Sequence, residues 1–278
     1  MKFGVDVSQH QLTWDELRAR VEFAEDAGFD SAWIFDHFTP LYGDPKGPCL
    51  EAWTLLGALA AVTDRIRLGT LVTGVTYRHP SVLAAQAVTV DHVSEGRVNL
   101  GMGAAWHEGE HRRLGIDFPP ARERAGRLDE ALQVIKALWT EDPVDFEGTY
   151  YRLQGGYYHP RPVQQPHPPI WVGAMGDKLT LPIAGRRVDV WHAFGPPDVL
   201  ARKASIVYRA AHEAGRDPSA ITCSTNLSLS EPWHEVRRRV DELTAIGFSY
   251  LVASWPDEGW PRIQEFADEV LPTLTTTE

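Results

Sequence analysis

The sequence predicts an α/β protein of the (β/α)8 TIM-barrel class. Short apolar segments with the composition of buried strands alternate with amphipathic helical segments along the whole chain. About eight such strand–helix units fit into 278 residues, which is the number and length expected of one closed barrel. A doubly wound sheet is the alternative, because strand order is not readable from a sequence. We therefore expect a single TIM-barrel domain over residues 1–278.

The first half of the chain contains four strands, each followed by a helix with recognisable ends. Thr13 and Glu16 form a capping box, Pro80 suits a first helical turn, and Gly28 suits a helix end. We predict strands at 3–7, 31–36, 66–72 and 97–101, and helices at 13–28, 51–62, 80–93 and 121–139. This half accounts for four β/α units.

The second half continues the same alternation. We predict strands at 170–173, 188–191, 221–229 and 250–254, and helices at 179–185, 198–215, 233–246 and 263–270. Because the alternation resumes after residue 169, the segment before it is an insertion within the barrel and not a linker between two domains.

This insertion lies between the predicted strands four and five and carries a Pro-rich run at residues 159–169. Proline fixes φ and has no backbone N–H, so the run is predicted to be extended and ordered by packing. We expect it to cross the top of the barrel, where insertions commonly shape a substrate pocket.

Composition and charge limit the classes of molecule that this protein can bind. The chain has 27 Lys and Arg residues against 38 Asp and Glu, a net charge of −11, which argues against a nucleic-acid or anionic-membrane surface. No apolar run approaches the roughly 20 residues of a membrane span, and the first residues read as a strand and not as a signal peptide. Cys49 and Cys223 form no C-x-x-C motif. We expect a cytoplasmic protein that binds a small-molecule substrate.

The second predicted strand ends in Asp36 and His37, followed by a loop punctuated by Pro and Gly. In α/β barrels, polar side chains at the carboxyl ends of strands are where chemistry takes place. Histidine is suited to giving or taking a proton near neutral pH. His37 is therefore the candidate catalytic residue, the alternative being a histidine that only hydrogen-bonds within its loop.

Three glycine-containing segments also follow strands. Residues 69–80 combine small and β-branched side chains, which allow a flat ligand to approach the backbone. Residues 101–106 begin like the dinucleotide-binding G-x-G-x-x-G motif but end in Trp106, so that signal is weak. Residues 173–178 suit an anion through backbone N–H groups at a helix start, without the spacing of a nucleotide-triphosphate loop.

Residues 107–111 match H-E-x-x-H, in which two histidines on one helical turn bind zinc. Gly109 weakens a helix at this position, and no third ligand is evident. We therefore predict no metal site, and a zinc hydrolase that uses His107, Glu108 and His111 is a less favoured alternative.

Taken together, five segments resemble the bacterial luciferase-like monooxygenase superfamily, and most closely its coenzyme F420-dependent oxidoreductases. The matching segments are residues 27–30, 36–38, 68–80, 96–106 and 168–173. Their order along nearly the whole chain makes the combination specific, whereas each segment alone is not.

The resemblance implies a TIM barrel that holds a deazaflavin or flavin ring at the carboxyl ends of its strands, and it favours a homodimer. His37 is implied to be catalytic. The implied cofactor contacts are Asp36, Val72, Thr73, Gly103, Ala104, Ala105, Trp106, Gly173, Ala174, Met175 and Gly176. Trp106 departs from the pattern that the resemblance implies. At this position, the sugar-phosphate dehydrogenases of the family look to have a catalytic Glu.

From these residues we predict an F420-dependent oxidoreductase that transfers a hydride between reduced deazaflavin and a small organic substrate. The alternatives are an FMNH₂-dependent luciferase-like monooxygenase, the zinc hydrolase and a non-catalytic flavin-binding barrel. The substrate itself is not readable from the sequence.

Overall fold

The computed structural model describes residues 1–275 and contains a closed, eight-stranded parallel barrel surrounded by helices. The strands are β1 (Lys2–Asp6), β2 (Ser31–Ile34), β3 (Arg67–Thr70), β4 (Thr73–Gly74), β5 (Val98–Gly103), β6 (Val144–Glu147), β7 (Arg152–Gly156), β8 (Ile170–Gly173), β9 (Val190–Ala193), β10 (Thr222–Leu227) and β11 (Phe248–Ser254). Around the barrel the order is β1, β2, β3, β5, β8, β9, β10 and β11, and β11 pairs again with β1. This closure confirms the predicted TIM barrel and excludes the doubly wound sheet.

Helices connect the barrel strands on the outside. They are α1 (Trp14–Asp26), α2 (Ala52–Val62), α3 (Pro80–Val93), α4 (Glu108–Leu114), α5 (Ala121–Thr140), α6 (Thr180–Arg187), α7 (Pro197–Glu213), α8 (Trp233–Ala245), α9 (Trp260–Glu265) and α10 (Leu271–Thr275), with a π-helical turn at Phe266–Val270. The Thr13–Glu16 capping box starts α1 as predicted. The short α4 was not predicted, because Gly109 lowers its helix propensity. No helix in the described part of the chain is long and apolar enough to cross a membrane.

Large side chains fill the barrel below its carboxyl end. Trp33, Trp171 and Tyr250 pack together inside it, with the rings of Trp33 and Trp171 4.4 Å apart. Gly4 and Gly69 make this possible, because a Cβ on either would lie within 2.7 Å of the Trp33 ring. The interior is therefore a packed core, and open space remains at the carboxyl ends of the strands.

The Pro-rich insertion lies on the opposite face from the one predicted. After the antiparallel pair β6–β7, the side-chain amide of Gln164 donates to Asp91 Oδ1 at 2.7 Å and to the Val98 carbonyl at 2.8 Å. Its carbonyl oxygen accepts from Arg67 at 2.7 Å. Asp91 lies near the end of α3, while Arg67 and Val98 begin their strands, so these contacts anchor the insertion at the amino-terminal face. The expected position across the barrel top was wrong, because local composition does not show which face needs polar partners.

Candidate active site

A cleft of about 1090 Å³ opens at the carboxyl ends of the barrel strands, the size expected of a small-molecule or cofactor site. All the residues proposed from the sequence line this cleft except Thr73. Its rim and walls are rich in apolar and aromatic side chains, including Phe35, Leu41, Tyr42, Val72, Trp106 and Phe194. The strand ends thus bring residues that are distant in sequence to one mostly apolar space.

His37 lies in the cleft wall and is oriented by a buried carboxylate. Its Nδ1 lies 2.9 Å from Glu110 Oε2. Because a carboxylate only accepts hydrogen bonds, Nδ1 carries the proton and donates it to Glu110. The other ring nitrogen, Nε2, has no hydrogen-bond partner within residues 1–275 and is not sealed from the cleft. His37 is therefore a fixed imidazole with one nitrogen free to exchange a proton with a bound molecule.

Glu110 is fully buried and accepts five hydrogen bonds. Besides His37, the donors are the N–H groups of Phe38 and Thr39, the Thr39 hydroxyl at 3.0 Å and the Tyr77 hydroxyl at 2.5 Å. Burial raises the pKa of this carboxyl, but the bonds from His37, Tyr77 and Phe38 together outweigh burial and hold the pKa well below its usual range. Glu110 is therefore a buried anion beside His37.

The H-E-G-E-H segment, residues 107–111, forms this site in a way that the zinc motif does not describe. His111 Nδ1 donates to the His107 carbonyl at 2.9 Å, and its Nε2 lies 2.7 Å from the Thr76 hydroxyl. Both ring nitrogens are therefore engaged, and His111 is not placed to bind a metal with His107. Glu108 is exposed, whereas Glu110 points inward.

Within residues 1–275, one group of potential ligands converges, His37, His107 and Glu110, and two of its members already form the hydrogen bond described above. Sequence reasoning missed Glu110 because it attended to the motif's other acidic residue. Glu110 and His37 are 73 positions apart in the sequence, so no short motif indicates that they pair.

Asp36 is buried beside His37 and is neutralised by an arginine. Arg78 donates to both of its carboxylate oxygens, at 2.5 and 3.0 Å, and also to Glu51 at 2.5 Å. Burial raises the pKa of Asp36, while the Arg78 contacts lower it. Because both oxygens are engaged, the carboxylate holds the loop after β2 in place. Arg78, which follows β4 in sequence, was missed as its partner.

The segment between β3 and β4 forms a protrusion into the cleft, and the Leu71–Val72 peptide bond in it is cis. Gly103 and Gly173 leave room for Val72, since a Cβ on either would lie 2.7 or 3.2 Å from its methyl groups. The Thr73 hydroxyl instead accepts from Trp53 Nε1 at 3.0 Å and lies 2.9 Å from the Thr70 hydroxyl. Thr73 was predicted to contact the cofactor, but it is fully buried behind the wall and supports the protrusion.

The segment after β5 supplies the rim next to this protrusion, because β4 pairs with β5. Ala104 and Ala105 keep this wall low, and Ala105 adopts a positive φ of 58°. Trp106 is 64% exposed at the mouth, with its ring 5.9 Å from that of His37. Arg124 also lines the cleft and donates to the Ala104 carbonyl at 2.9 Å. Trp106 therefore presents a large apolar surface near His37.

The turn after β8 has the features of an anion site, but not every backbone N–H group in it is available to a ligand. The N–H of Gly176 donates to the Thr180 hydroxyl at 3.0 Å, so it is not free for a ligand. The N–H groups at positions 175 and 177–179 have no partner within residues 1–275. Lys203 donates to the Met175 carbonyl and to Asp177, and Arg202 also donates to Asp177.

These bonds from Lys203 and Arg202 lower the pKa of Asp177 to about 2. With Lys178, the turn thus has three cations against one carboxylate. Arg186 and Arg187 at the end of α6 add no free charge to the turn, because both pair with Asp129 on α5.

Replacing Gly176 with valine is expected to weaken cofactor binding more than chemistry. The added Cβ would lie 3.1 Å from the Thr180 hydroxyl, and the methyl groups would occupy the space beside the free N–H groups. We expect the dissociation constant to rise about tenfold or more, which is about 1.4 kcal/mol. Fluorescence titration with F420 measures it, with Gly57→Ala in α2 as the control. Unchanged affinity in a folded Gly176→Val variant would place the anion site elsewhere.

A closed barrel with an oriented imidazole at its carboxyl end defines a barrel enzyme, and comparison with known sequences identifies its family. The family model described as luciferase-like monooxygenase matches residues 1–262, and the chain belongs to this family. This confirms the resemblance stated from the motifs.

Several similar proteins are named F420-dependent glucose-6-phosphate dehydrogenase, and two of them match nearly the whole chain. The one from Amycolatopsis mediterranei is 36% identical, covering 99% of this chain and 91% of its own. The one from Microbacterium testaceum is 31% identical, covering 96% and 88%. Among solved structures, an F420-dependent secondary alcohol dehydrogenase in complex with an F420–acetone adduct superposes with a TM-score of 0.89. It covers 99% of both chains at 21% identity, which supports the fold alone.

Proposed function

We propose that this protein is an F420-dependent oxidoreductase, with residues 1–278 as one catalytic domain. It transfers a hydride between deazaflavin and a small organic substrate, and His37 exchanges the accompanying proton. The observation that carries the proposal is the His37–Glu110 pair, which leaves Nε2 of His37 free at the cleft. The names of relatives that match nearly the whole chain support F420 as the cofactor.

The residues present fit a deazaflavin. Its flat ring needs a low wall, and Gly103, Ala104 and Gly173 supply one beside the protruding Val72, since they carry little or no side chain there. Its phosphate-bearing chain needs an anion site, and residues 175–179 supply free N–H groups close to the cationic side chains described above. The size and apolar lining of the cleft match such a ligand.

When bound, F420 supplies the two-electron hydride chemistry, and the protein supplies position and protons. Glu110 holds the proton on Nδ1 of His37 and fixes the ring, so that Nε2 gives or takes the proton at the substrate. Trp106, Tyr42 and Phe194 give the mouth of the cleft an exposed apolar surface on which a ligand can pack.

Cofactor choice tests the proposal directly. Titration of the purified protein with F420 and with FMN, followed by fluorescence, is expected to show saturable F420 binding at least about tenfold tighter than FMN. Glucose-6-phosphate and 2-propanol are then offered to the F420 complex as hydride donors. Tighter binding of FMN, together with oxygen-dependent turnover, would favour the luciferase-like monooxygenase instead.

A further inference from the structure

Asp6 ends β1 and faces the same cleft as His37, on the neighbouring strand. Its Oδ1 accepts the N–H of Ser8 at 3.0 Å. Within residues 1–275, Oδ2 has no hydrogen-bond partner and the carboxyl group forms no ion pair. Asp6 is half-buried and its Oδ2 is open to the cleft, so a ligand that displaces water from this oxygen has to supply a hydrogen-bond donor in its place.

The other carboxyl groups that line the cleft are neutralised. Asp36 is paired with Arg78, and Asp177 is paired with Arg202 and Lys203. Asp6 has only the distant influence of Arg20, whose guanidinium lies 4.4 Å from the centre of the Trp255 ring. Burial raises the pKa of Asp6 to about 7. Asp6 is thus the lining carboxyl group for which the described chain provides no cation.

The polar residues beside it on the inner wall carry no positive charge. Burial lowers the pKa of His192 to about 4, so this imidazole is neutral near pH 7. Its Nε2–H donates to Asn226 Oδ1 at 2.9 Å, and its Nδ1 lies 3.0 Å from the Ser224 hydroxyl. Asn226 therefore keeps its amide donors for a ligand, but this part of the cleft has no cation that would bind a phosphate group.

We propose that Asp6 is the specificity-determining residue of the substrate site, and that it selects a compact, largely apolar molecule bearing a hydroxyl or a protonated amine. The carboxyl group accepts the hydrogen bond of that donor, and it disfavours an anion at the same place. The inference rests on the proposed function in taking the cleft ligand to be the substrate. It separates this protein from relatives that are named for a sugar phosphate.

Three probes that share a benzyl group and differ in the charge of the polar group attached to it test the proposal on the F420-loaded protein: benzylammonium, benzyl alcohol and benzylphosphonate. Calorimetric titration is expected to rank benzylammonium tightest and benzylphosphonate weakest. Asp6→Asn and Asp6→Ser are expected to weaken benzylammonium binding about tenfold or more and to change benzyl alcohol binding by less than about threefold. Both replacements keep an oxygen that can accept the N–H of Ser8, which supports folding. Asp257→Asn, an exposed carboxylate outside the cleft, is the matched control and is expected to change nothing.

Three results would overturn this assignment: benzylphosphonate binding as tightly as benzylammonium, a charge preference that survives both Asp6 replacements, or binding of none of the probes. The F420 titration is a separate measurement. If F420 itself does not bind, the proposed function fails, and the probe ranking is then measured on the cofactor-free protein, where the same three outcomes decide the role of Asp6.

Discussion

Replacing His37 with alanine is expected to lower turnover about 10²–10⁴-fold, the usual contribution of a positioned acid or base. Nε2 of His37 is the nitrogen left free at the cleft, and alanine removes it together with the bond to Glu110. The dissociation constant of F420 should change far less, because the anion turn and the glycine-lined wall lie on other strands. His37→Asn separates the roles, since asparagine keeps a polar side chain but exchanges no proton near neutral pH.

The measurement is single-turnover oxidation of bound, reduced F420 as a function of pH, in the wild type and both variants. His159→Ala is the control, because His159 is exposed and pairs with Asp142 in the insertion. Rates near wild type in both His37 variants would show that His37 is only a loop residue and that the proton comes from another group or from solvent.

Glu110→Ala is expected to lower both stability and turnover. It removes one acceptor and leaves His37, Tyr77 and two backbone N–H groups without a partner in a buried place. Breaking a buried pair by removing one partner costs about 3–5 kcal/mol, and we expect a loss of that size in the free energy of unfolding. Turnover of the folded fraction should fall as well, because His37 loses its orientation. Chemical denaturation and steady-state kinetics measure the two effects.

The control is Glu108→Ala, two residues away in the same helix but exposed. It is expected to leave stability and turnover unchanged, which also distinguishes the two chemistries, since a zinc hydrolase would need Glu108 as its base. A severe loss of activity in Glu108→Ala with a mild effect in Glu110→Ala would reverse our assignment of this segment.

The pH dependence follows from the same contacts. Because the pKa of Glu110 is depressed in the folded state, its stabilising contribution is present above the usual pKa near 4.5 and is lost as the pH falls below it. The ionisation of Asp6 affects stability in the opposite direction. Its raised pKa means that stability declines as the pH rises from about 3.8 towards 7, so Asp6→Asn should be relatively more stable at pH 8.

Several site residues could be predicted from sequence because their signals are local. His37 lies three residues after the buried strand β2, and the glycines at 103 and 173 end strands of their own. Glu110, Arg78 and Asp6 could not be placed in the same way. Their significance lies in partners that come from other β/α units; Asp36 and Arg78, for example, are 42 positions apart in the sequence.

By itself, the sequence determined the barrel class, the family and the strand ends that line the cleft, because hydrophobic periodicity and short motifs record local geometry. The tertiary structure alone decided which acid pairs with His37, that Thr73 is buried against Trp53 and Thr70 and that Gln164 anchors the Pro-rich run at the amino-terminal face. It also left Asp6 as the lining carboxyl group without a cation within residues 1–275. The physical reason is that burial and charge pairing depend on distances between side chains, and those distances exist only once the barrel has closed.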